Sequence, residues 1–181
     1  MPRPDPASVT RRSFLKTATA ATALSAAGIA RAAGANERVR MGFIGCGGRN
    51  TALLHYWNEQ TPGQFEVVAC CDPMRSRAEK FRDLAGGRCE VDANFLKLLE
   101  RKEIDAVSVA VSGHWHCLPV LHACAAGKHV YAEKPLAWSI GEGRAMVKAA
   151  RKYNRIVFFG AQQRHMPHYQ EAVELIHSGR L

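Results

Sequence analysis

Residues 39–50 constrain this chain more than any other stretch: Val39–Ile44 is a short apolar run that breaks abruptly into Gly45, Gly47 and Gly48. Beyond them, Thr51–Trp57 reads as a helix. A buried strand, a glycine turn and a helix start together form the phosphate-gripping opening of a dinucleotide-binding unit. In that reading Gly45 allows the tight turn and Gly47 lets the backbone approach a diphosphate. The free N–H groups at Gly48, Arg49 and Asn50 then face its negative charge. The G-x-G-x-x-G spacing calls for a third glycine at position 50, where the chain has Asn50. A plain glycine-rich turn is the competing reading.

The next apolar run, Phe65–Cys71, ends at Asp72, 27 residues beyond Gly45. That is near the spacing at which a carboxylate meets an adenosine ribose. Asp72-Pro73 also suits the start of a helix over Met74–Leu84, and the two roles are compatible. Arg75 and Arg77 follow at once and keep a 2′-phosphate open, so the residues point to NAD or NADP without choosing.

Further along, Asp92 is the expected N-cap of a helix over 93–101, and Ile104–Val111 is another buried strand running into Ser112-Gly113-His114-Trp115-His116. A helix over 118–126 stops at Gly127, and the strand at 129–132 ends in Glu133-Lys134-Pro135. A helix over 139–153, a strand over 156–160 and a helix from Pro167 complete the pattern. Strands alternating with helices at this spacing predict an α/β fold with a doubly wound parallel sheet and right-handed crossovers. Ligands then bind beyond the carboxyl ends of the strands. There Lys134 either donates to a substrate oxygen and joins proton transfer, or is a solvated lysine before Pro135. His116 either lines the cofactor pocket or caps the next helix. His114 and His116 flank a tryptophan at a spacing unlike a zinc site, so no metal is expected.

The front of the chain reads differently. Thr10-Arg11-Arg12-Ser13-Phe14-Leu15-Lys16 matches a twin-arginine export consensus, and a mild apolar stretch from Ala18 to Ile29 follows. That stretch is too short and too weakly apolar for a permanent membrane anchor. Ala30-Arg31-Ala32 is a small-x-small site, so residues 1–32 are expected to be a signal removed on export by the twin-arginine machinery. The mature protein is then periplasmic or otherwise extracytoplasmic. Residues 1–32 also hold a net four of the nine positive charges, leaving the rest scattered, and nucleic acid is not an expected partner. Proteins on this route fold in a reducing cytosol, so the six cysteines, which form no C-x-x-C pair, are expected as buried free thiols.

The run His114-Trp115-His116-Cys117-Leu118-Pro119, followed by Ala126-Gly127-Lys128-His129-Val130-Tyr131-Ala132-Glu133-Lys134-Pro135-Leu136, resembles the Gfo/Idh/MocA oxidoreductases. The likeness runs over residues 38–181 and includes Gly45-Cys46-Gly47-Gly48-Arg49 and Gln162-Gln163-Arg164. It is similar to the twin-arginine-exported subset, to which glucose–fructose oxidoreductase also belongs. The resemblance implies a Rossmann-type domain over 33–160 that binds a nicotinamide cofactor, and an enzyme acting on a sugar or polyol hydroxyl. It implies that Lys134 sits beside the nicotinamide and the reacting hydroxyl. Cofactor roles fall to Gly45, Gly47, Asp72, His116 and Glu133.

Three departures from the family pattern stand out. Val111, Ser112 and Gly113 replace the usual Thr-Pro-Asp/Asn. Asn50 replaces a small residue, which predicts a first helix pushed away from its strand. The family's second, largely β domain carries the substrate pocket, an aspartate–histidine pair and the oligomer interface, so a homo-oligomer is expected only of the full length. Residues 161–181 read as the start of that domain, truncated. For these 181 residues the expectation is cofactor binding with little turnover. The alternatives are a binding module without activity and a redox-assisted glycosidase of the same fold, against which the intact Glu133-Lys134-Pro135 counts.

Overall fold

The computed structural model describes residues 38–180, and the expected export signal at 1–32 lies outside the described residues. Six strands form one sheet: β1 (Val39–Ile44), β2 (Phe65–Cys71), β3 (Glu90–Asp92), β4 (Ala106–Val109), β5 (His129–Glu133) and β6 (Val157–Gly160). All pair in parallel, in the order β3-β2-β1-β4-β5-β6. This is the doubly wound arrangement, in which the strand order reverses between β1 and β4 and opens a crevice at their carboxyl ends. The connecting helices are α1 (Gly48–Gln60), α2 (Arg75–Leu84), α3 (Phe95–Glu100), α4 (Cys117–Ala125), α5 (Ile140–Lys152) and α6 (Pro167–His177).

Alternation along the inner strands sends side chains into two cores. On one face Ile44, Ala69, Val107, Val109, Val130 and Ala132 meet Leu98, Val120, Ala123 and Met146 of the helices. On the other, Met41, Phe43 and Cys70 meet Leu54, Ala78 and Phe81. Phe43 and Phe81 are buried with ring centroids 4.9 Å apart, a contact that adds about 1 kcal/mol to the burial itself. Near-continuous apolar strands are what a sheet covered on both faces requires.

Helix ends follow local chemistry. Ser139 caps α5 with a capping box, its hydroxyl accepting from the Glu142 amide while Glu142 accepts from the Ser139 amide. For α3 the cap is Asn94, whose side chain accepts the Leu96 N–H at 2.9 Å. That corrects the expectation for Asp92. The acid instead closes β3, a strand the sequence left unannounced, and its carboxylate takes the Arg101 guanidinium at 3.1 Å. Three residues are too few to show a period, and Arg88 and Glu90 interrupt the apolar signal.

All six cysteines are free and buried, as expected. A hydrogen bond with Cys46 and burial push the Cys70 thiol up to about 12, and burial, helped by the nearby Asp92 and Asp72 carboxylates, does the same for Cys71. Such thiols behave as small apolar side chains. No helix among the described residues is long and apolar enough to cross a membrane. Helix α6 buries none of its side chains, and Tyr169, Val173 and Ile176 stand exposed at helical spacing.

Candidate functional site

The carboxyl ends of β1, β2, β4, β5 and β6 carry the residues singled out above. Gly45 follows β1 at φ +87°, a region that favours glycine. A Cβ on it would lie 2.5 Å from the Ala110 carbonyl oxygen. The turn is therefore pressed against the end of β4. Gly47 is the opposite case. Its backbone is extended (φ −78°) and a Cβ there would meet nothing within 4 Å, as at Gly48. The space in front of these two glycines is open, and an added Cβ would project into it. Helix α1 starts at Gly48, and the first amide with an acceptor in the protein is Thr51 N–H, bonded to the Gly47 carbonyl at 3.1 Å. Among the described residues the N–H groups of Gly48, Arg49 and Asn50 have none. A glycine concavity with three free amides at the positive end of a thirteen-residue helix fits a diphosphate.

Asn50 is bonded to the strand ends rather than merely wedged between helix and sheet. Its side chain is fully buried and stitches the helix to the sheet. Nδ2 donates to the Gly45 carbonyl at 2.6 Å and the Ile44 carbonyl at 3.2 Å, while Oδ1 accepts the Ser108 hydroxyl at 2.6 Å. Every polar atom of the amide is matched, so its burial strands no donor or acceptor. Toward a ligand, Asn50 offers its backbone N–H alone.

Asp72 binds the glycine turn to the second crossover. Oδ2 accepts the Cys46 N–H and Oδ1 the Met74 N–H, both at 2.8 Å. The helix-start role is thus present, although Met74 occupies the cap position. Each carboxylate oxygen keeps a second lone pair for a ribose hydroxyl. Arg75, by contrast, is strongly exposed and pairs with Glu79 on its own helix at 2.7 Å.

The lysine turn is organised by Glu133, which is only 2% exposed. Its Oε1 takes the Arg49 guanidinium at 2.8 Å, and Oε2 takes the Lys134 backbone N–H at 3.1 Å. Gln162 spans both oxygens through Nε2 at 2.8 and 2.9 Å. The Tyr131 hydroxyl lies 3.4 Å from Oε1. Burial, the largest single effect, would by itself lower the Arg49 pKa, but the hydrogen bond and charge of Glu133, with a smaller contribution from Tyr131, together outweigh it and raise the value. Lys134 is exposed, and among the described residues its ammonium has no protein partner. The Lys134–Pro135 peptide is cis, and a Cβ on Gly113 would reach Pro135 Cγ at 3.0 Å. The Val111-Ser112-Gly113 departure therefore admits Pro135 against the β4 loop.

His116 is fully buried; its Nε2 lies 3.0 Å from the Val111 carbonyl, so this nitrogen carries the proton. Nδ1 is left without a partner among the described residues. His116 holds the cap position of α4 but makes no side-chain cap bond. Among the described residues no group of three or more His, Cys, Asp or Glu is arranged to hold a metal.

Sequence reasoning missed several residues here. Gln162 stands two residues beyond β6, at the same carboxyl end of the sheet as the other site residues. Gly160 leaves room for Tyr131, whose hydroxyl would lie 2.5 Å from a Cβ there. Lys128 is 6% exposed and donates to the carbonyls of Arg101 and Ile104 at 2.6 and 2.9 Å. Its role is structural, and nothing in the local pattern distinguishes it from a surface lysine.

Residues 39–161 match the family model described as "Oxidoreductase family, NAD-binding Rossmann fold" (Gfo/Idh/MocA). The chain belongs to the Gfo/Idh/MocA oxidoreductase family. Inositol 2-dehydrogenase 4 of Saccharopolyspora erythraea is 31% identical over 147 residues, covering 81% of this chain and 43% of that protein. Glycosyl hydrolase family 109 protein 2 of Shewanella sp. (strain ANA-3) is 32% identical over 173 residues, covering 80% of this chain and 38% of that protein. Among solved structures, KijD10, a 3-ketoreductase from Actinomadura kijaniata in complex with NADP and TDP-benzene, superposes with a TM-score of 0.70. It is 27% identical, over 78% of this chain and 43% of that one. The chain thus spans about two fifths of the length of these relatives, and the part it spans is the family's nucleotide-binding half.

Proposed function

We propose that this chain holds NAD or NADP across the carboxyl ends of its strands as the cofactor-binding half of an oxidoreductase acting on a sugar or polyol hydroxyl. The observation that carries the reading is the open cradle at Gly47 and Gly48, with three unpaired amides, on the loop that Arg49 and Glu133 join to the lysine turn. Gly45 shapes the cradle, and the N–H groups of Gly48, Arg49 and Asn50 bind the diphosphate. Asp72 takes the adenosine ribose, with Arg75 as the side chain that would meet a 2′-phosphate. His116 stands behind the pocket with its Nδ1 unpaired, and Glu133 ties the Arg49 loop to the lysine turn. Residues 33–160 form this unit, and 161–181 begin the substrate domain.

The dinucleotide, when bound, exchanges a hydride with the carbinol carbon. Lys134 does the chain's part of the chemistry. In the reducing direction its ammonium, unpaired within the protein, would give a proton to the carbonyl oxygen as the hydride arrives; in the oxidising direction the neutral amine would take the hydroxyl proton. The signal at 1–32 would deliver the folded protein through the twin-arginine machinery to the periplasm, and the full length would assemble as a homo-oligomer.

A second reading, a redox-assisted glycosidase, is favoured by the 32% identity to glycosyl hydrolase family 109 protein 2. Titration with NADH and NADPH, followed by energy transfer from tryptophan, tests the binding step. Saturable binding of one of them, lost in Gly47→Ala, is expected; no binding of either overturns the reading. Release of nitrophenol from nitrophenyl glycosides by cofactor-loaded protein would favour the glycosidase, and reduction of added dinucleotide by a polyol would favour the dehydrogenase.

A further inference from the structure

The family resemblance places Glu133 among the cofactor-binding residues, but its surroundings give it a different role. A carboxylate has about four lone-pair sites. Here Arg49, Gln162, Tyr131 and the Lys134 amide address them all, and the side chain is 2% exposed. No acceptor capacity and no surface remain for a ribose or amide of a ligand. What Glu133 can do is hold the three groups that come to it from three different strand ends. Arg49 belongs to the first turn after β1, Lys134 follows β5, and Gln162 follows β6.

Gln162 makes this arrangement specific. Its amide nitrogen bridges both carboxylate oxygens, which fixes the rotation of the carboxylate and aims Oε2 at the Lys134 N–H. The amide carbonyl lies on the opposite side of the carboxamide and so faces away from Glu133. An apolar side chain at 162 would leave one donor site of a buried anion empty, and an acid would set two carboxylates against each other. Gly160, two residues earlier, keeps the Tyr131 ring close enough to close the group.

We infer that Gln162 is a positioning residue: by gripping Glu133 it sets the backbone of Lys134, and Glu133 itself holds the loops together without touching the cofactor. The inference rests on the dinucleotide reading for its functional consequence, though not for its structural one. The test uses the full chain with Gln162→Ala and Gln162→His, the imidazole N–H of the latter being able to replace the lost donor. ADP-ribose and NADH are titrated into each protein. Gln162→Ala should leave ADP-ribose affinity within about twofold and lower the advantage of NADH over ADP-ribose about tenfold, the loss of one charge-assisted hydrogen bond's worth of positioning. Gln162→His should restore most of it. An unchanged advantage, or equal losses for both ligands, overturns the role. A second readout needs no ligand: the lysines are 13C-methylated, and the Lys134 signal is assigned by its absence in Lys134→Arg. That signal should shift in Gln162→Ala while the other lysine signals stay put, and an unmoved Lys134 signal overturns the inference. If the unsubstituted protein binds neither ligand but the Lys134 signal moves, the dinucleotide reading fails and the positioning role stands.

Discussion

The Asp72 carboxylate accepts the Cys46 N–H at 2.8 Å, so the acid that ends the second strand braces the glycine turn that follows the first. Its other oxygen takes the Met74 N–H at the same distance. One side chain thereby fixes two loops that a dinucleotide would bridge. Asp72→Asn replaces one acceptor with an NH2 group that meets a backbone N–H head-on. The expected loss is about 2 kcal/mol of stability, read as a lower urea midpoint, together with weaker NADH binding. A stable variant with unchanged affinity would remove Asp72 from the site.

Gly45 and Gly47 make opposite predictions. Gly45→Ala combines a left-handed backbone with a Cβ 2.5 Å from a carbonyl oxygen, and should cost about 3 kcal/mol or more. Gly47→Ala meets nothing in the protein and should change stability by less than about 0.5 kcal/mol. Its Cβ would, however, occupy the space a diphosphate needs, so NADH affinity should fall at least about tenfold. Thermal melting and titration of both variants separate the two roles.

Asn50 and Ser108 should act as a coupled pair. Asn50→Ala strips donors from the Gly45 and Ile44 carbonyls and leaves the Ser108 hydroxyl buried without its acceptor, at about 2–4 kcal/mol. Ser108→Ala removes a single bond and should cost about 1 kcal/mol. In the double variant the hydroxyl is no longer stranded, so its cost should fall about 1 kcal/mol below the sum. Additive costs in a denaturation cycle would mean that the bond carries no coupling.

Much of this architecture was legible in the sequence, because apolar runs punctuated by glycine report strand ends wherever both sheet faces are buried. Five of the six strands and the order of the helices followed from that pattern, while β3, with three residues and little apolar character, could not. The site was legible in part. The spacing from Gly45 to Asp72 located both ends of one loop pair, yet gave no sign that the two bond directly. Asn50 read as a misfit because a pattern records residue size and says nothing of the three matched polar partners waiting at that position. Gln162 and Lys128 show the same limit: their roles depend on carboxylate or carbonyl groups brought from 24 to 29 residues away, and no local signal carries such a contact.

The remaining prediction concerns acid. Arg40 at the start of β1 meets Asp105, just before β4, through its backbone N–H at 2.9 Å, Nε at 3.0 Å and Nη2 at 2.8 Å. The side-chain hydrogen bond from Arg40, followed by its backbone bond and charge, holds the Asp105 carboxyl below its ordinary 3.8 against the opposing effect of burial. A carboxyl whose pKa is lower in the folded than in the unfolded chain binds fewer protons when folded. Its stabilisation is therefore complete above the unfolded value and is lost as pH falls through the folded one. Asp105→Asn should thus lower the urea midpoint at pH 7 and flatten its decline below about pH 4. Because both side chains are more than a third exposed, salt screens the pair, and the difference between the two proteins should shrink in about 1 M NaCl. An unchanged slope in acid would mean that the pair orders the amino ends of the two central strands without contributing to stability.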